Sequence, residues 1–557
     1  MALLTGTHAF LEMLRAEGVK YIFGNPGTSE AAIMDALTNY PDIEYILVVQ
    51  EGIAIGMADV YARASGEVGF VSLHIDNGLA NAFSLLADSK YAGTPLVVTA
   101  GNKDVRKLAE GRSDLARMAE PFCKWSVEIT HPDQYPSVLR RAFQEARTEP
   151  TGPIFVSFSG NSLDGTTDQA VFPSSRNIAL PEPSGKAVRE AANLLKSARS
   201  PVMLVGNRVG KYGAVGEAVC LAEQIGAAVY GHTFTQVNFP TGHPQFLGRL
   251  PWSSVRTKPI REKLEPADVM LAVGCPVFAD YFYLAEPVIH EEAALIHIDP
   301  NFGEIGKTEQ PDIGIQAAPA STLALLTAEL EAGMTPLEAE TAAARKKQIT
   351  MQSQAQQNEF MQLAKSQRQQ TPMGVAAAMQ AIAEAMPSET LVFDDSVSTS
   401  GLFHAAVKFN QPGAYYGAIG GAIGWGMGGS LGLKLARPDH PVLTIVGDGS
   451  AMMTVQGLWT AVNSKIPVVY LICNNASYRV LKINMNLYKE AILGQTNRPH
   501  QYQNMDFPVP FDFAAIGRAF GARGVRIERV QDIGPALQKA IQANEPAVLD
   551  LILDGSL

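Results

Sequence analysis

The chain alternates between short apolar runs and longer segments in which apolar and polar residues follow helical spacing. In the N-terminal part the apolar runs end at turn residues, and they occupy 21–24, 45–50, 68–74, 95–100 and 153–158. Strand-like runs that alternate with helical segments are typical of parallel sheets whose strands are joined by crossover helices. The pattern therefore predicts an α/β fold.

The same alternation returns twice further along the chain. A Pro- and Ser-rich stretch at 172–185 and a polar, Gln- and Ala-rich stretch at 336–371 separate the blocks. A length of 557 residues also exceeds what one hydrophobic core supports. We therefore predict three doubly wound parallel-sheet domains, of which the first and third are similar in size and layout. The further strands are expected at 201–206, 268–274, 294–300, 390–396, 441–450, 467–475 and 547–553. The expected domains are 1–171, 186–335 and 372–557, with a linker at 336–371.

Charge and cysteine content narrow the class of protein. The net charge is −11 and no basic stripe is present, so nucleic acid is not expected as a partner. The four cysteines are far apart and form no CxxC pair, which argues against a zinc site or a disulfide framework. The N-terminal segment has the pattern of an amphipathic helix that leads into a strand, without the basic start and cleavage site of a signal peptide. These features lead us to expect a cytoplasmic enzyme.

One segment has the length of a membrane span. Residues 413–433 carry no charge, but nine of them are glycine, which is a poor helix former. We expect backbone that packs closely against a ligand or another subunit, and no membrane association.

Two polar residues at predicted strand ends indicate a site. Asp448 follows the apolar run 441–447, and Asn475 ends the next run 27 residues later. In one parallel sheet both would lie at the carboxyl edge, where a carboxylate, an amide oxygen and a backbone carbonyl suit Mg²⁺. The N–H groups around Gly449 would suit a phosphate. Two unrelated turns are the alternative, but spacing and context agree with a shared site.

A Gly-Asp-Gly turn followed at this distance by an Asn pair resembles the diphosphate-binding signature of thiamine-diphosphate enzymes. The resemblance extends along essentially the whole chain and is strongest to benzoylformate decarboxylases, with acetolactate synthases somewhat further off. It implies pyrimidine-binding, central and diphosphate-binding domains in that order, with thiamine diphosphate and Mg²⁺ as cofactors. The matching stretches are 23–27, 45–65, 72–74, 124–126, 239–244, 412–416, 446–450 and 474–478.

The resemblance assigns roles to individual residues. Glu51 follows an apolar strand and matches the glutamate that activates the cofactor's aminopyrimidine, although the residues alone would favour an acid at a helix N-terminus. His74 matches an active-site histidine that protonates the intermediate, and its alternative is a structural histidine at a strand end. Thr28 matches a serine that holds the substrate carboxylate, or it is an ordinary helix N-cap.

Further roles follow from the same resemblance. Ile423 matches the bulky residue that supports the bent cofactor, and otherwise would be interpreted as core. The implied metal ligands are Asp448, Asn475 and the main-chain carbonyl of Ser477. The implied cofactor contacts, besides Glu51 and Ile423, are Ser398, Gly449, Ser450, Ser477 and Tyr478.

The chain departs from the family pattern at three positions. Tyr281 stands where a second active-site histidine is expected, and a tyrosine is not a cationic acid at neutral pH. Gly417 and Asn484 replace aromatic residues of the pocket, so a substrate that carries a bare phenyl group is not expected.

The sequence supports three functional hypotheses. The first is decarboxylation of a 2-oxo acid to an aldehyde and CO₂ by a homodimer or homotetramer. The second is a carboligase of the acetolactate synthase kind, which joins two carbonyl compounds. The third is a catalytically silent cofactor-binding or assembly subunit, against which the intact Glu51, Asp448 and Asn475 argue.

Overall fold

Three six-stranded parallel sheets follow one another along the chain in the computed structural model, which describes residues 3–176, 178–232, 234–250, 257–278, 288–497 and 501–557. Helices connect the strands of each sheet, so the prediction of three doubly wound parallel-sheet domains is confirmed. The predicted strands are present. The domain boundaries themselves stay a prediction.

The first sheet has the strand order β3-β2-β4-β5-β7-β6, and β1 pairs with β8 as a separate antiparallel ribbon. Alternate residues of each strand face two different cores; Phe70 lies in one and Val71 in the other. The strands are β1 Leu4–Thr5, β2 Tyr21–Gly24, β3 Glu44–Leu47, β4 Gly69–His74, β5 Leu96–Asn102, β6 Trp125–Ile129, β7 Ile154–Ser159 and β8 Thr166–Thr167. The helices are α1 Gly6–Glu17, α2 Ala31–Ala36, α3 Glu51–Ser65, α4 Ile75–Ala92, α5 Leu115–Ala119, α6 Gln134–Arg147 and α7 Gly160–Asp164.

The central sheet has the order β11-β10-β9-β12-β13-β14. The predicted linker 336–371 contains one long helix, which begins at a Thr335–Glu338 capping box. The strands are β9 Pro201–Val205, β10 Ala228–Gly231, β11 Phe246–Arg249, β12 Val269–Val273, β13 Ala294–Ile298 and β14 Ile313–Ile315. The helices are α8 Gly185–Ser197, α9 Asn207–Lys211, α10 Val215–Ile225, α11 Thr257–Leu264, α12 Pro319–Gly333 and α13 Pro336–Ser366.

The third sheet has the order β16-β15-β17-β18-β20-β19, which brings the two strands before Asp448 and Asn475 side by side. The strands are β15 Leu391–Asp395, β16 Tyr415–Gly417, β17 Val442–Gly447, β18 Val469–Asn474, β19 Arg523–Ile527 and β20 Ala547–Ile552. The helices are α14 Val375–Ala385, α15 Ser400–Ala406, α16 Trp425–Ala436, α17 Asp448–Met453, α18 Gly457–Asn463, α19 Arg479–Ala491, α20 Phe513–Ala519 and α21 Val530–Ala543.

The first and third domains share one hydrophobic core, because the Gly-rich α16 packs directly on α3. A Cβ atom at Gly428 would lie 2.8 Å from the carbonyl oxygen of Ile53, and one at Gly432 would lie 2.0 Å from that of Met57. The glycines of α16 therefore allow close helix packing within one chain. Within the described ranges, no helix is both long enough and apolar enough to cross a membrane.

Two buried histidines of the central domain predict acid sensitivity. Burial lowers the pKa of His232 and of His297 to about 4 in each case. The unfolded chain binds these protons near pH 6.5, so the free energy of unfolding should fall by about 1.4 kcal/mol per histidine and pH unit as the pH drops from 6.5 towards 4. We expect melting temperatures between pH 7 and pH 5 to fall less in His297→Gln than in the unmodified chain. The exposed His131→Gln is the matched control, and equal slopes in all three proteins would contradict the prediction.

Candidate active site

The polar residues singled out in the sequence follow the carboxyl ends of parallel strands. His74 ends β4, Asp448 follows β17, and Asn475 follows β18. Glu51 begins α3 after the loop that leaves β3. In doubly wound sheets this edge is where backbone N–H groups are free and ligands bind.

Glu51 is a buried carboxylate held by two amide groups. Only 6% of the residue's surface is exposed to solvent. Asn25 Nδ2 donates to Oε1 at 3.0 Å, and Asn81 Nδ2, from α4, donates to Oε2 at 2.9 Å. The N-cap of α3 is the preceding Gln50, whose side-chain oxygen accepts the Ile53 N–H. Gln50 thus makes the N-cap hydrogen bond, while Glu51 lies in the first turn of α3, where an acid also interacts favourably with the helix dipole.

His74 belongs to a polar cluster with Glu30 and Ser29. Its Nδ1 lies 3.0 Å from Glu30 Oε2 and 2.9 Å from Ser29 Oγ. Glu30 is buried, and its carboxylate also accepts the N–H groups of Gly27 at 2.9 Å and Gly101 at 2.8 Å. His74 thus contacts the buried Glu30 carboxylate and the Ser29 hydroxyl through one ring nitrogen, Nδ1.

The cluster includes two residues that sequence reasoning missed. Thr28 is exposed and begins the short 3-10 turn Thr28–Glu30, whereas the hydroxyl that reaches His74 is that of Ser29. A glutamate three residues after a turn glycine is a capping-box spacing, and this signal in residues 27–30 could have identified Glu30.

Asp448 and Asn475 lie together at the carboxyl edge of the third sheet. Asp448 Oδ1 accepts the N–H of Gly449 at 2.7 Å, and Oδ2 accepts that of Asn475 at 3.1 Å. Asn475 Oδ1 in turn accepts the N–H of Ser477 at 3.0 Å. Burial raises the pKa of Asp448 to about 6, and these N–H groups oppose the rise. A buried carboxylate whose partners are backbone N–H groups is suited to bind a cation.

The predicted cofactor contacts surround this pair. Tyr478 packs against Gly449, where a Cβ atom would lie 2.4 Å from the Tyr478 ring. Ser477 Oγ donates to the carbonyl oxygen of Met505 at 2.9 Å. Ser450 Oγ donates to Asp395. The ring contact explains why position 449 must be glycine.

Two of the three remaining predicted residues lie in loops. Ser398 is half-buried in the loop after β15, and Ile423 is half-buried in the loop before α16. Tyr281 lies outside the described residues. Of the two positions where aromatic residues were expected, Gly417 is buried in β16 and Asn484 is half-buried on α19.

The donor set of the third domain fits a diphosphate held through a magnesium ion. Asp448 and Asn475 offer hard oxygen ligands, and so few protein ligands leave room for phosphate oxygens. Over the described part of the chain, three or more His, Cys, Asp or Glu side chains are nowhere grouped so that they alone could hold a metal. The residues present therefore suit a metal that is shared with a bound cofactor. A buried carboxyl such as that of Glu51 is the kind of group that an aminopyrimidine nitrogen requires as a partner.

The chain is similar over nearly its whole length to several characterised enzymes. Benzoylformate decarboxylase of Pseudomonas aeruginosa is 29% identical, with 98% of each chain covered. Sulfoacetaldehyde acetyltransferase of Castellaniella defragrans is 27% identical over 97% of this chain and 91% of the other. The probable acetolactate synthase large subunit of Methanocaldococcus jannaschii is 29% identical over 99% and 92%.

Comparison with solved structures also finds similarity over nearly the whole chain. The thiamine diphosphate-dependent 4-hydroxybenzoylformate decarboxylase of Rhodococcus jostii RHA1 superposes with a TM-score of 0.83 at 27% identity, with 99% of each chain covered. Residues 4–120, 188–326 and 395–551 match, in that order, the N-terminal TPP binding domain, the central domain and the C-terminal TPP binding domain described for thiamine pyrophosphate enzymes. With the buried Glu51 in the first of these domains and the Asp448–Asn475 pair in the third, the chain belongs to the thiamine pyrophosphate enzyme family.

Proposed function

We propose that the chain is a thiamine-diphosphate- and Mg²⁺-dependent decarboxylase that converts a 2-oxo acid into an aldehyde and CO₂. The observation that carries the proposal is the start of α4. His74 precedes this helix, and Asn81, two turns further on, donates to Glu51. The same helix thus follows the imidazole of His74 and holds, through Asn81, the carboxyl that would activate the cofactor, and both groups are needed for decarboxylation followed by protonation.

Each residue has a defined task in this reaction. Glu51 exchanges a proton with the aminopyrimidine, and Asp448, Asn475 and the Ser477 carbonyl hold Mg²⁺ with the diphosphate. When bound, thiamine diphosphate supplies the electron sink for the negative charge that CO₂ leaves behind. His74 delivers the proton that completes the aldehyde, so that R–CO–COO⁻ and H⁺ give R–CHO and CO₂.

The pocket positions limit the substrate. Thr28 is exposed on the turn that also carries Ser29 and Glu30, and its hydroxyl suits a substrate carboxylate. Gly417 and Asn484 provide no aromatic surface for a phenyl ring. A small or polar 2-oxo acid is therefore favoured over an aryl one.

A carboligase is the alternative function. Two of the similar proteins are named as a sulfoacetaldehyde acetyltransferase and a probable acetolactate synthase. His74 favours protonation, but a second carbonyl compound would compete with the proton for the same carbon.

A product assay distinguishes the two. Purified protein is incubated with thiamine diphosphate, Mg²⁺ and a panel of 2-oxo acids, and CO₂, aldehyde and acyloin are quantified separately. The proposal predicts CO₂ and aldehyde in equal amounts with at least one substrate. Acyloin as the main product would establish the carboligase, and no CO₂ from any 2-oxo acid would refute both.

The active unit is expected to be at least a homodimer, because in this family the cofactor bridges the first domain of one subunit and the third domain of another. In a mixed dimer of Glu51→Gln and Asp448→Ala subunits, one site carries both changes and the other carries neither. Mixing the two inactive proteins under exchange conditions should therefore restore about a quarter of the normal activity. A mixture that stays as inactive as its parents, although mixed dimers are detected by mass spectrometry, would contradict the shared site.

A further inference from the structure

The loop of residues 418–424 joins β16 to α16 and carries Ile423. Its two ends are held by the third domain itself. At one end the Ala418 N–H donates to the carbonyl oxygen of Asp394 at 2.9 Å. At the other end the Gly424 N–H donates to Ser450 Oγ at 2.8 Å, and the Thr454 hydroxyl donates to the Gly424 carbonyl at 2.7 Å.

The middle of the loop is held by a residue of the first domain. Asp88, on α4, accepts the Ala422 N–H on Oδ2 at 2.8 Å. The approach is close enough to require glycine at 420, because a Cβ atom there would lie 2.2 Å from Asp88 Cγ and the backbone φ is +69°. Burial raises the pKa of Asp88, and the N–H groups of Ala422 and Gly421 oppose the rise, so these groups stabilise the charged carboxylate.

The helix that carries Asp88 also reaches Glu51. Asn81, seven residues earlier on α4, donates to Glu51 Oε2 at 2.9 Å. An α-helix is a rigid connection over this distance of two turns. One helix of the chain therefore contacts both the Ile423 loop and Glu51, which in the proposed dimer belong to two different sites.

We infer that Asp88 is a positioning residue that holds the Ile423 loop in the conformation that receives the cofactor. The inference rests on the proposed function, since Ile423 matters only if it supports bound thiamine diphosphate. Without the Asp88 carboxylate, the loop between its two anchored ends is free to move, and each binding event has to order it again. Loss of one hydrogen bond to a charged acceptor should weaken cofactor binding about 10-fold or more.

The test uses the full chain and two measurements. Hydrogen exchange of the peptide that covers 418–424 is measured before any cofactor is added, and thiamine diphosphate with Mg²⁺ is then titrated by calorimetry. Asp88→Ala removes the acceptor, whereas Asp88→Asn keeps one neutral acceptor for the Ala422 N–H. Ser89→Ala is the matched control, because the Ser89 hydroxyl on the next position of α4 bonds Asp59 at 2.9 Å and does not contact the loop.

We expect faster exchange of the Ala422 amide and about 10-fold weaker binding in Asp88→Ala, intermediate values in Asp88→Asn, and normal values in Ser89→Ala. If Asp88→Ala does not fold, Gly420→Ala decides, because it forces the loop away from an intact Asp88 and should give the same two changes. Unchanged exchange in these variants, or faster exchange with normal affinity, would overturn the inference. Failure of the unmodified chain to bind thiamine diphosphate would instead refute the proposed function, and the exchange data would still show whether Asp88 holds the loop.

Discussion

Replacing Glu51 by Gln should lower kcat by about 10²–10⁴-fold, because the amide keeps the shape of the side chain but cannot exchange a proton with the aminopyrimidine. The two carboxylate oxygens accept from Asn25 and Asn81. Glutamine has one oxygen, so one of these hydrogen bonds is weakened, at a cost of about 1 kcal/mol in the free energy of unfolding. The measurement is kcat at saturating thiamine diphosphate, together with the melting temperature.

The neighbouring Gln50 provides the control for this prediction. Gln50 is the N-cap of α3, so Gln50→Ala should lower the free energy of unfolding by about 0.5–2 kcal/mol, and with it the melting temperature. The value of kcat should stay near normal. Both variants should thus lose some stability, but only Glu51→Gln should lose turnover. A Glu51→Gln protein with near-normal kcat and a lowered melting temperature would show that Glu51 is only structural.

Replacing Asp448 by Ala should abolish retention of the cofactor, because Mg²⁺ loses its only charged protein ligand in the proposed set. Asp448→Asn is the second variant, since it can keep the hydrogen bond from the Asn475 N–H but lacks the charge. Both should fail to retain thiamine diphosphate on gel filtration in the presence of Mg²⁺. Asp439→Ala, at an exposed position of the same domain, should retain it.

Melting temperatures exclude misfolding as the cause of that loss. Asp448→Asn should melt close to the unmodified protein measured without cofactor. Full activity of either Asp448 variant at low Mg²⁺ would show that the metal is bound elsewhere.

The sequence pattern predicted the central strands better than the edge strands. Those in the middle of each sheet, such as β4, β5, β17 and β18, are buried on both faces and therefore form continuous apolar runs. The strands that were missed are mainly edge strands, which are short or partly exposed and carry polar residues. They are β6, β11, β14, β16 and β19, together with β10 next to an edge and the two strands of the separate ribbon, β1 and β8.

The site was predictable to the extent that its residues follow strands directly. Asp448 and Asn475 could be paired from sequence because neighbouring parallel strands end at one edge. The capping-box spacing could have identified Glu30, but the contacts of Glu30 and Asp88 could not be predicted, because their partners come from distant parts of the chain. Glu30 meets the Gly101 N–H only through the register of β4 and β5, and Asp88 meets Ala422 only through the packing of two domains.

The central claim is that Glu51 activates a thiamine diphosphate bound by this chain, and it can be tested without knowledge of the substrate. The measurement is the rate of deuterium exchange at the thiazolium carbon of the bound cofactor, by rapid quench and NMR, for the unmodified protein and Glu51→Gln with equal cofactor occupancy. For the unmodified protein we expect an exchange rate much higher than in free cofactor. In Glu51→Gln we expect this rate to be lower by about 10²–10⁴-fold. Equal exchange rates in the two proteins, or a rate no faster than in free cofactor for both, would contradict the central claim.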